Sequence, residues 1–376
     1  MEKLQSISNF AESELNAVVL NKKINDELRG FKHPYSATIL GYENDEKSVL
    51  NLVQTVTGNF PIAQRFYRLK AKMMGLSTLS YADRAAQVGK VHKKISFEKA
   101  CVMLGEVLES IDTEYKDIFE RMIERGQIDV YPKKGKSGGA YCSHGIELPT
   151  MVLLNHTDDM RSFTTLAHEM GHAIHSEMSK SQSPLYEGYS TAVAETASTF
   201  FEQLAFEELF KKLTDQEKIT ALHDKINDDV STIFRQITFF NFELELHSLI
   251  REKGSLSHQE IASLLNKHTA AYMGSSVKLE DIDGYFFAEV SHFRRFFYVY
   301  SYAYGQLISK SLVRLYQKDL SYAGKIKEFL KAGGSKTPEQ IFKDIGIDVM
   351  RPSFFEEGLK GIEEDIKKLE RLVRKT

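Results

Sequence analysis

Along most of this chain apolar residues return every three or four positions, the spacing that lines one face of an α-helix. Residues 2–29 read as a helix, followed by a polar, proline-containing turn at 30–45. Residues 46–75 read as helix interrupted near Pro61, and 96–125 as a long amphipathic run from Ser96 to a stop at Gly126. Thr214 with Glu217, and Ser257 with Glu260, have capping-box spacing and start helices at about 215–253 and 258–273. Helical patterns follow at 286–318, 320–332 and 353–374. No proline lies between 185 and 337, which permits helix throughout that stretch. Residues 127–157 break the pattern, with short β-prone pieces at Ile128–Tyr131, Gly139–Cys142 and Thr150–Asn155. The sequence therefore predicts a mainly α fold with one small β-sheet directly before residue 158.

Composition narrows the class of protein. The chain has 376 residues, with 49 Lys and Arg against 52 Asp and Glu, a formal net charge of −3. That balance gives no bulk attraction to nucleic acid or to an anionic membrane. No stretch approaches eighteen uncharged apolar residues, so no membrane span is expected. Two cysteines, Cys101 and Cys142, make no disulfide framework, and the N terminus has no apolar signal segment. Both point to a cytoplasmic protein.

The most informative residues are 167-AHEMGHAIH-175. His168, Glu169 and His172 fit H-E-x-x-H, which on a helix places two imidazoles one turn apart on one face, within reach of one metal ion. Glu169 beside the first ligand is placed to act on a water. A histidine six residues after His172 would make a third ligand of another zinc class, but that position is Met178. The remaining candidates are Glu187 in the turn read at 181-SQSPLYEGYS-190, and Glu195 and Glu202 on the helix read in 190-STAVAETASTFFEQL-204; Glu195 is favoured. Glu202 is then a candidate hydrogen-bond partner of a ligand, set against a solvated helix glutamate. Gly171 costs about 1 kcal/mol relative to Ala in a helix interior, and close packing of a neighbouring element is one reason to keep it. His144 and His156 read as ordinary loop histidines, and His175 as structural.

Three ordered motifs, AHEMGHAIH, AETASTFFE and 292-HFRRFFYVYSYAYG-305, resemble the thimet oligopeptidase family of zinc peptidases, and among them the oligoendopeptidase F branch. The resemblance implies a multi-helical zincin-type catalytic region. It implies one zinc ion on His168, His172 and Glu195, and Glu169 as general base. It also implies a histidine and tyrosines over the scissile carbonyl, matching His292 and Tyr298, with Tyr302 a looser match. Tyr298 and Tyr302 are four apart, so a helix would put them on one face. The strand around 138-GGAYCSHG-145 corresponds to an edge beside the metal that pairs with an extended peptide.

Family members are longer, with a further helical region ahead. The resemblance therefore implies a short or N-terminally truncated member. Residues 1–95 would be a partial N-terminal helical region, and 96–376 the catalytic region, continuous with it in one unit. The expected function is a zinc-dependent endopeptidase acting on short peptides. One alternative is a carboxypeptidase or dipeptidyl carboxypeptidase of the same group, with Arg294 or Arg295 receiving a C-terminal carboxylate. Another is a non-catalytic zinc-bound scaffold, against which the presence of Glu169 argues.

Overall fold

The computed structural model describes residues 1–89, 93–145 and 147–375, and over these the chain is mainly α-helical. The N-terminal pattern becomes α1 (Glu2–Ser6) and α2 (Ser8–Leu28). Within the expected 30–45 turn lies a short helix that the pattern does not predict, α3 (Ser36–Gly41). Helix α4 (Glu46–Gly58) begins at Asp45, whose carboxylate accepts the Lys47 and Ser48 N–H groups. Pro61 falls in the first turn of α5 (Phe60–Met73), where its missing N–H breaks no helical bond. A two-residue strand, β1 (Leu79–Ser80), follows.

The run 96–125 is two helices, α6 (Phe97–Ile111) and α7 (Thr113–Glu124). Asp112 divides them: its backbone is extended and its carboxylate caps the Glu114 N–H, the local bond that lets Asp compete with a continuing helix. The β segment gives β2 (Ile128–Asp129), β3 (Tyr141–Gly145) and β4 (Leu148–Leu153) in the order β2-β4-β3. Strand β3 runs antiparallel to β4, with a register shift between Ser143 and Gly145.

Helix α8 (Met160–Ser179) is capped by Asp159, which accepts the Ser162 N–H, and α9 (Thr191–Lys211) follows a short loop. Helices α10 (Asp215–Asp229) and α11 (Gln236–Lys253) are joined by a π-helical turn, Val230–Arg235. The Ser257–Glu260 capping box starts α12 (His258–Met273). Strand β5 (Val277–Lys278) pairs in parallel with β1, a pairing absent from the sequence reading.

The expected helix 286–318 is not continuous. Asp281–Ala288 and Ser291–Arg294 are 3-10 turns, and α13 (Tyr300–Lys318) begins only at Tyr300. Phe296 and Phe297 have φ of 53° and 58°, the left-handed region that a right-handed helix excludes. The C-terminal part holds α14 (Ala323–Lys331), the unpredicted α15 (Pro338–Asp344) and α16 (Pro352–Val373).

These elements gather into two compact units, neither of which is a single stretch of chain. One comprises Met1–Val88, Leu222–Tyr304 and Met350–Thr376. At its centre α11 packs on α12, α2 and α4, and its core includes Phe239, Phe240, Phe242, Phe293 and Phe297. The other comprises Gly89–Ala221 and Gly305–Val349. There α8 is central, packed against α9, α6, α7 and α14 and against β3 and β4, through buried Leu166, Ala167, Met170, Ala173 and Ile174. Among the described residues no helix is long and apolar enough to cross a membrane.

Candidate metal centre and catalytic residues

At Gly171 the backbones of helices α8 and α9 come close together. A Cβ at Gly171 would stand 2.6 Å from the Ser198 Cα and 3.2 Å from the Ala197 carbonyl oxygen. Gly305 of α13 does the same from another side: its Cβ would meet the Glu195 Cβ at 3.0 Å and the Ala192 carbonyl oxygen at 3.2 Å. Two glycines thus let backbone approach backbone around Glu195.

The result is a three-residue cluster. His168 and His172 on α8 and Glu195 on α9 each offer a ligand atom, and these atoms all lie within 4.8 Å of one another. Nε2 of His168 is 3.6 Å from Oε2 of Glu195. That is near the edge of a tetrahedron with ligand bonds of ~2.0–2.2 Å, about 3.4 Å. Two imidazoles and a carboxylate are the donor set of an open catalytic zinc site. On the far side of His168, Glu202 lies one further stretch along α9, its Oε2 2.9 Å from Nδ1. A carboxylate there fixes the imidazole orientation and turns Nε2 towards the cluster. Of the two readings of Glu202, the ligand partner is the one its geometry favours.

The electrostatics suit a cation. For His168, burial disfavours the charged ring, but the Glu202 hydrogen bond and the charges of Glu202, Glu195 and Glu169 outweigh it and raise the pKa to about 9. His172 behaves differently. Burial, then the nearby His168, His175 and His144, lower it to about 3, so its ring is neutral. Burial also raises Glu195, with His168 opposing and Glu202 adding to the rise.

Glu169 is 6% exposed, and among the described residues its Oε2 has no hydrogen-bond partner. Burial pushes its carboxyl up to about 7, with His168 opposing and Glu195 and Glu202 reinforcing. An acid poised there exchanges protons readily near neutral pH. Glu187, the rival ligand, is not part of this cluster, and its Oε1 is 3.8 Å from His144 Nδ1. His175 is fully buried and stacked on Tyr189 at 3.9 Å. His156 is buried against the Ile95 carbonyl oxygen at 3.0 Å. Burial, then Glu169 and Glu177, raise the thiol of Cys142 in β3 to about 12, which favours its protonated form near neutral pH.

His292, Tyr298 and Tyr302 belong to the other unit and form a cluster of their own. The Tyr298 hydroxyl is 2.5 Å from His292 Nδ1, and the Tyr302 ring centre is 5.8 Å from that of Tyr298 and 6.0 Å from that of His292. Tyr298 is in the turn before α13, so the two tyrosines meet by loop geometry and not along one helix face. Burial, Arg235 and Arg295 lower the His292 pKa, which favours the neutral ring. A neutral imidazole and a phenol carry two N–H or O–H protons between them, and their mutual bond uses one. The pair therefore presents one outward donor, either the phenol O–H or the imidazole Nε2–H.

Two successive left-handed residues, Phe296 and Phe297, precede Tyr298. Such a conformation costs roughly 1–2 kcal/mol per residue for a side chain with Cβ, and burying a Phe side chain returns about 1.5–3 kcal/mol. Phe297 is fully buried, 5.3 Å from Phe240 and 6.1 Å from Tyr35. Its N–H donates to Glu243 of α11, a residue the sequence reading passed over. The available signal was a glutamate inside 239-FFNFELEL-246, a segment otherwise rich in Phe and Leu. Arg294, a candidate for binding a C-terminal carboxylate, is engaged with Glu14 and with the Phe287 and Val290 carbonyl oxygens.

The sequence profile of peptidase family M3 matches residues 2–361. The chain belongs to that family. Its M3 relatives include an oligoendopeptidase F homologue of Borreliella burgdorferi, 29% identical over 97% of this chain and 64% of the relative. Another is the oligopeptidase PepF of Bacillus subtilis, 28% identical over 98% of this chain and 55% of the relative. A solved Chlamydophila abortus structure, 26% identical, superposes with a TM-score of 0.90 over 99% of this chain and 63% of its own. The oligoendopeptidase-F structure from Enterococcus faecium shares the fold at 20% identity and a TM-score of 0.77, covering 100% and 62%. The motif resemblance to oligoendopeptidase F and the mainly α fold are thus both upheld. The M3 chain spans less than two thirds of the length of these relatives.

Proposed function

We propose that this chain carries the catalytic centre of a zinc metallopeptidase that cuts internal bonds of short peptides. The observation that carries the reading is the approach of His168, His172 and Glu195 to within 4.8 Å, with Glu169 in the same helix turn. One zinc ion bound by those three residues would supply Lewis-acid charge and lower the pKa of a water. Glu169 takes the proton from the attacking water and returns it to the leaving amine. Glu202 holds the His168 ring in its binding orientation. His292 and Tyr298 are assigned, on the family resemblance, to donating a hydrogen bond from the one outward donor of their pair to the developing oxyanion; Tyr302 supports the same cluster. Peptides are the substrate class, and β3, at the edge of its sheet, is assigned to pairing with an extended peptide.

The test is incubation of the purified chain with a mixed peptide library, with and without chelator, read by mass spectrometry. Internal cuts that stop on chelation support the proposal, and peptides with a blocked C terminus should still be cut. Cleavage restricted to free C termini would replace the endopeptidase by a carboxypeptidase.

A further inference from the structure

One fully buried acid has no part in the chemistry just described. Glu243 lies in α11 and is wholly shielded from solvent, yet both its carboxyl oxygens face the Phe297 N–H, at 3.0 and 3.2 Å. We propose that Glu243 is a positioning residue, which fixes the left-handed turn at Phe296–Phe297 and through it sets the Tyr298 hydroxyl against His292. This rests on the role assigned above to Tyr298.

The loop from His292 to Tyr298 is held at both ends by one face of α11. Phe239, Glu243 and His247 are spaced four apart, so they lie on that face. Phe239 is 6.3 Å from the His292 ring and 5.2 Å from Phe293. One turn on, Glu243 takes the Phe297 N–H. A further turn on, the His247 ring is 4.9 Å from Phe297 and 5.4 Å from Phe296. Beyond the turn, the Tyr298 carbonyl oxygen accepts the Ser301 N–H at 3.0 Å and its hydroxyl at 2.7 Å. Tyr298 is therefore pinned between Glu243 before it and Ser301 after it. Removing the Glu243 acceptor leaves a buried N–H unpaired in a turn that is already strained, so the turn relaxes and the phenol moves.

Burial favours the neutral form of the Glu243 carboxyl. Burial raises its pKa to about 8, with the Phe297 N–H opposing. Glutamine keeps a carbonyl acceptor of the same reach, whereas methionine keeps the volume and removes it.

The experiment uses an internally quenched nonapeptide that the parental chain cleaves, with kcat and KM measured for Glu243→Gln, Glu243→Met, Tyr298→Phe and the Glu243→Met/Tyr298→Phe double variant. Glu243→Gln should stay within about twofold of the parental kcat, while Glu243→Met should lose about 10- to 100-fold in kcat at little-changed KM. In the Tyr298→Phe background Glu243→Met should cost nothing further, because its effect passes through the phenol. Hydrogen exchange at the Phe297 amide should quicken in Glu243→Met and not in Glu243→Gln. Should Glu243→Met fail to fold, Glu243→Asp, shortened by one methylene, carries the same comparison. A slowed Tyr298→Phe beside a Glu243→Met at parental rate, or equal losses from Glu243→Met in both backgrounds, overturns the positioning role alone. Tyr298→Phe at parental rate overturns the assigned role of Tyr298 and the positioning role with it.

Discussion

Gly171→Ala is the substitution for which helix propensity and structure give opposite answers. Alanine is favoured over glycine in a helix interior by about 1 kcal/mol, so propensity alone predicts a more stable protein. The structure predicts the reverse. The new Cβ would stand 2.6 Å from the Ser198 Cα, a backbone atom that cannot rotate away. Carbon contacts settle near 3.5–4.0 Å, so α8 and α9 must part by about 1 Å. Overpacking of that kind costs roughly 1–3 kcal/mol, which leaves a net loss of about 1 kcal/mol after the propensity gain. The metal centre should suffer more, because His168 and His172 are on one helix and Glu195 is on the other. Ligand distances tolerate only about ±0.2 Å, so zinc affinity should fall tenfold or more. The assay is zinc competition against a chromophoric chelator, with thermal melting alongside. Gly105→Ala is the control: among the described residues nothing beyond its own stretch of helix lies within 4 Å of its added Cβ, so it should be neutral or stabilising and leave zinc affinity alone. A Gly171→Ala protein with parental zinc affinity and a raised Tm would refute the close-approach argument.

Other substitutions follow from the same geometry. Glu195→Ala should abolish stoichiometric zinc; metal analysis showing one ion per chain in the variant would exclude Glu195 as a ligand. Glu202→Ala leaves all three ligands but frees the His168 ring, and should weaken zinc about 10- to 100-fold in competition titration; an unchanged affinity would make the contact incidental. Glu243 should mark the pH dependence of stability. Its folded pKa, near 8, lies above the unfolded value of about 4.3. Between them the native state binds the extra proton, so stability falls as pH rises through that window and levels off above it. Denaturant melts of Glu243→Gln across the same window should show a shallower fall, and identical slopes would rule the titration out.

Much of the candidate site was legible because its chemistry is local. His168, Glu169 and His172 occupy one helix turn, and the short connection to the next helix brought Glu195 into range. The interrupted helix at Pro61 and the Ser257–Glu260 cap were legible for the same reason, being set by neighbours in sequence. The break before Tyr300 was not, because nothing in HFRRFFYVY looks unlike helix. The left-handed Phe296 and Phe297 are held by a buried N–H bond to Glu243 and by aromatic packing on Phe240 and Tyr35, all distant in sequence. The β1–β5 pairing, Leu79 beside Val277, is likewise a long-range event with two residues on each side to announce it. Gly171 lay between these cases. Its cost in a helix was visible, but the backbone that lies against it belongs to α9 and needed the structure.

The central claim is that Glu169 acts as a base beside a metal held by His168, His172 and Glu195. The direct measurement is zinc content and peptide turnover of Glu169→Gln, determined on the same preparation. The account predicts one zinc ion per chain, as in the parental protein, with turnover reduced by about 10²- to 10⁴-fold. A variant that cuts peptides at the parental rate with its zinc in place would contradict it.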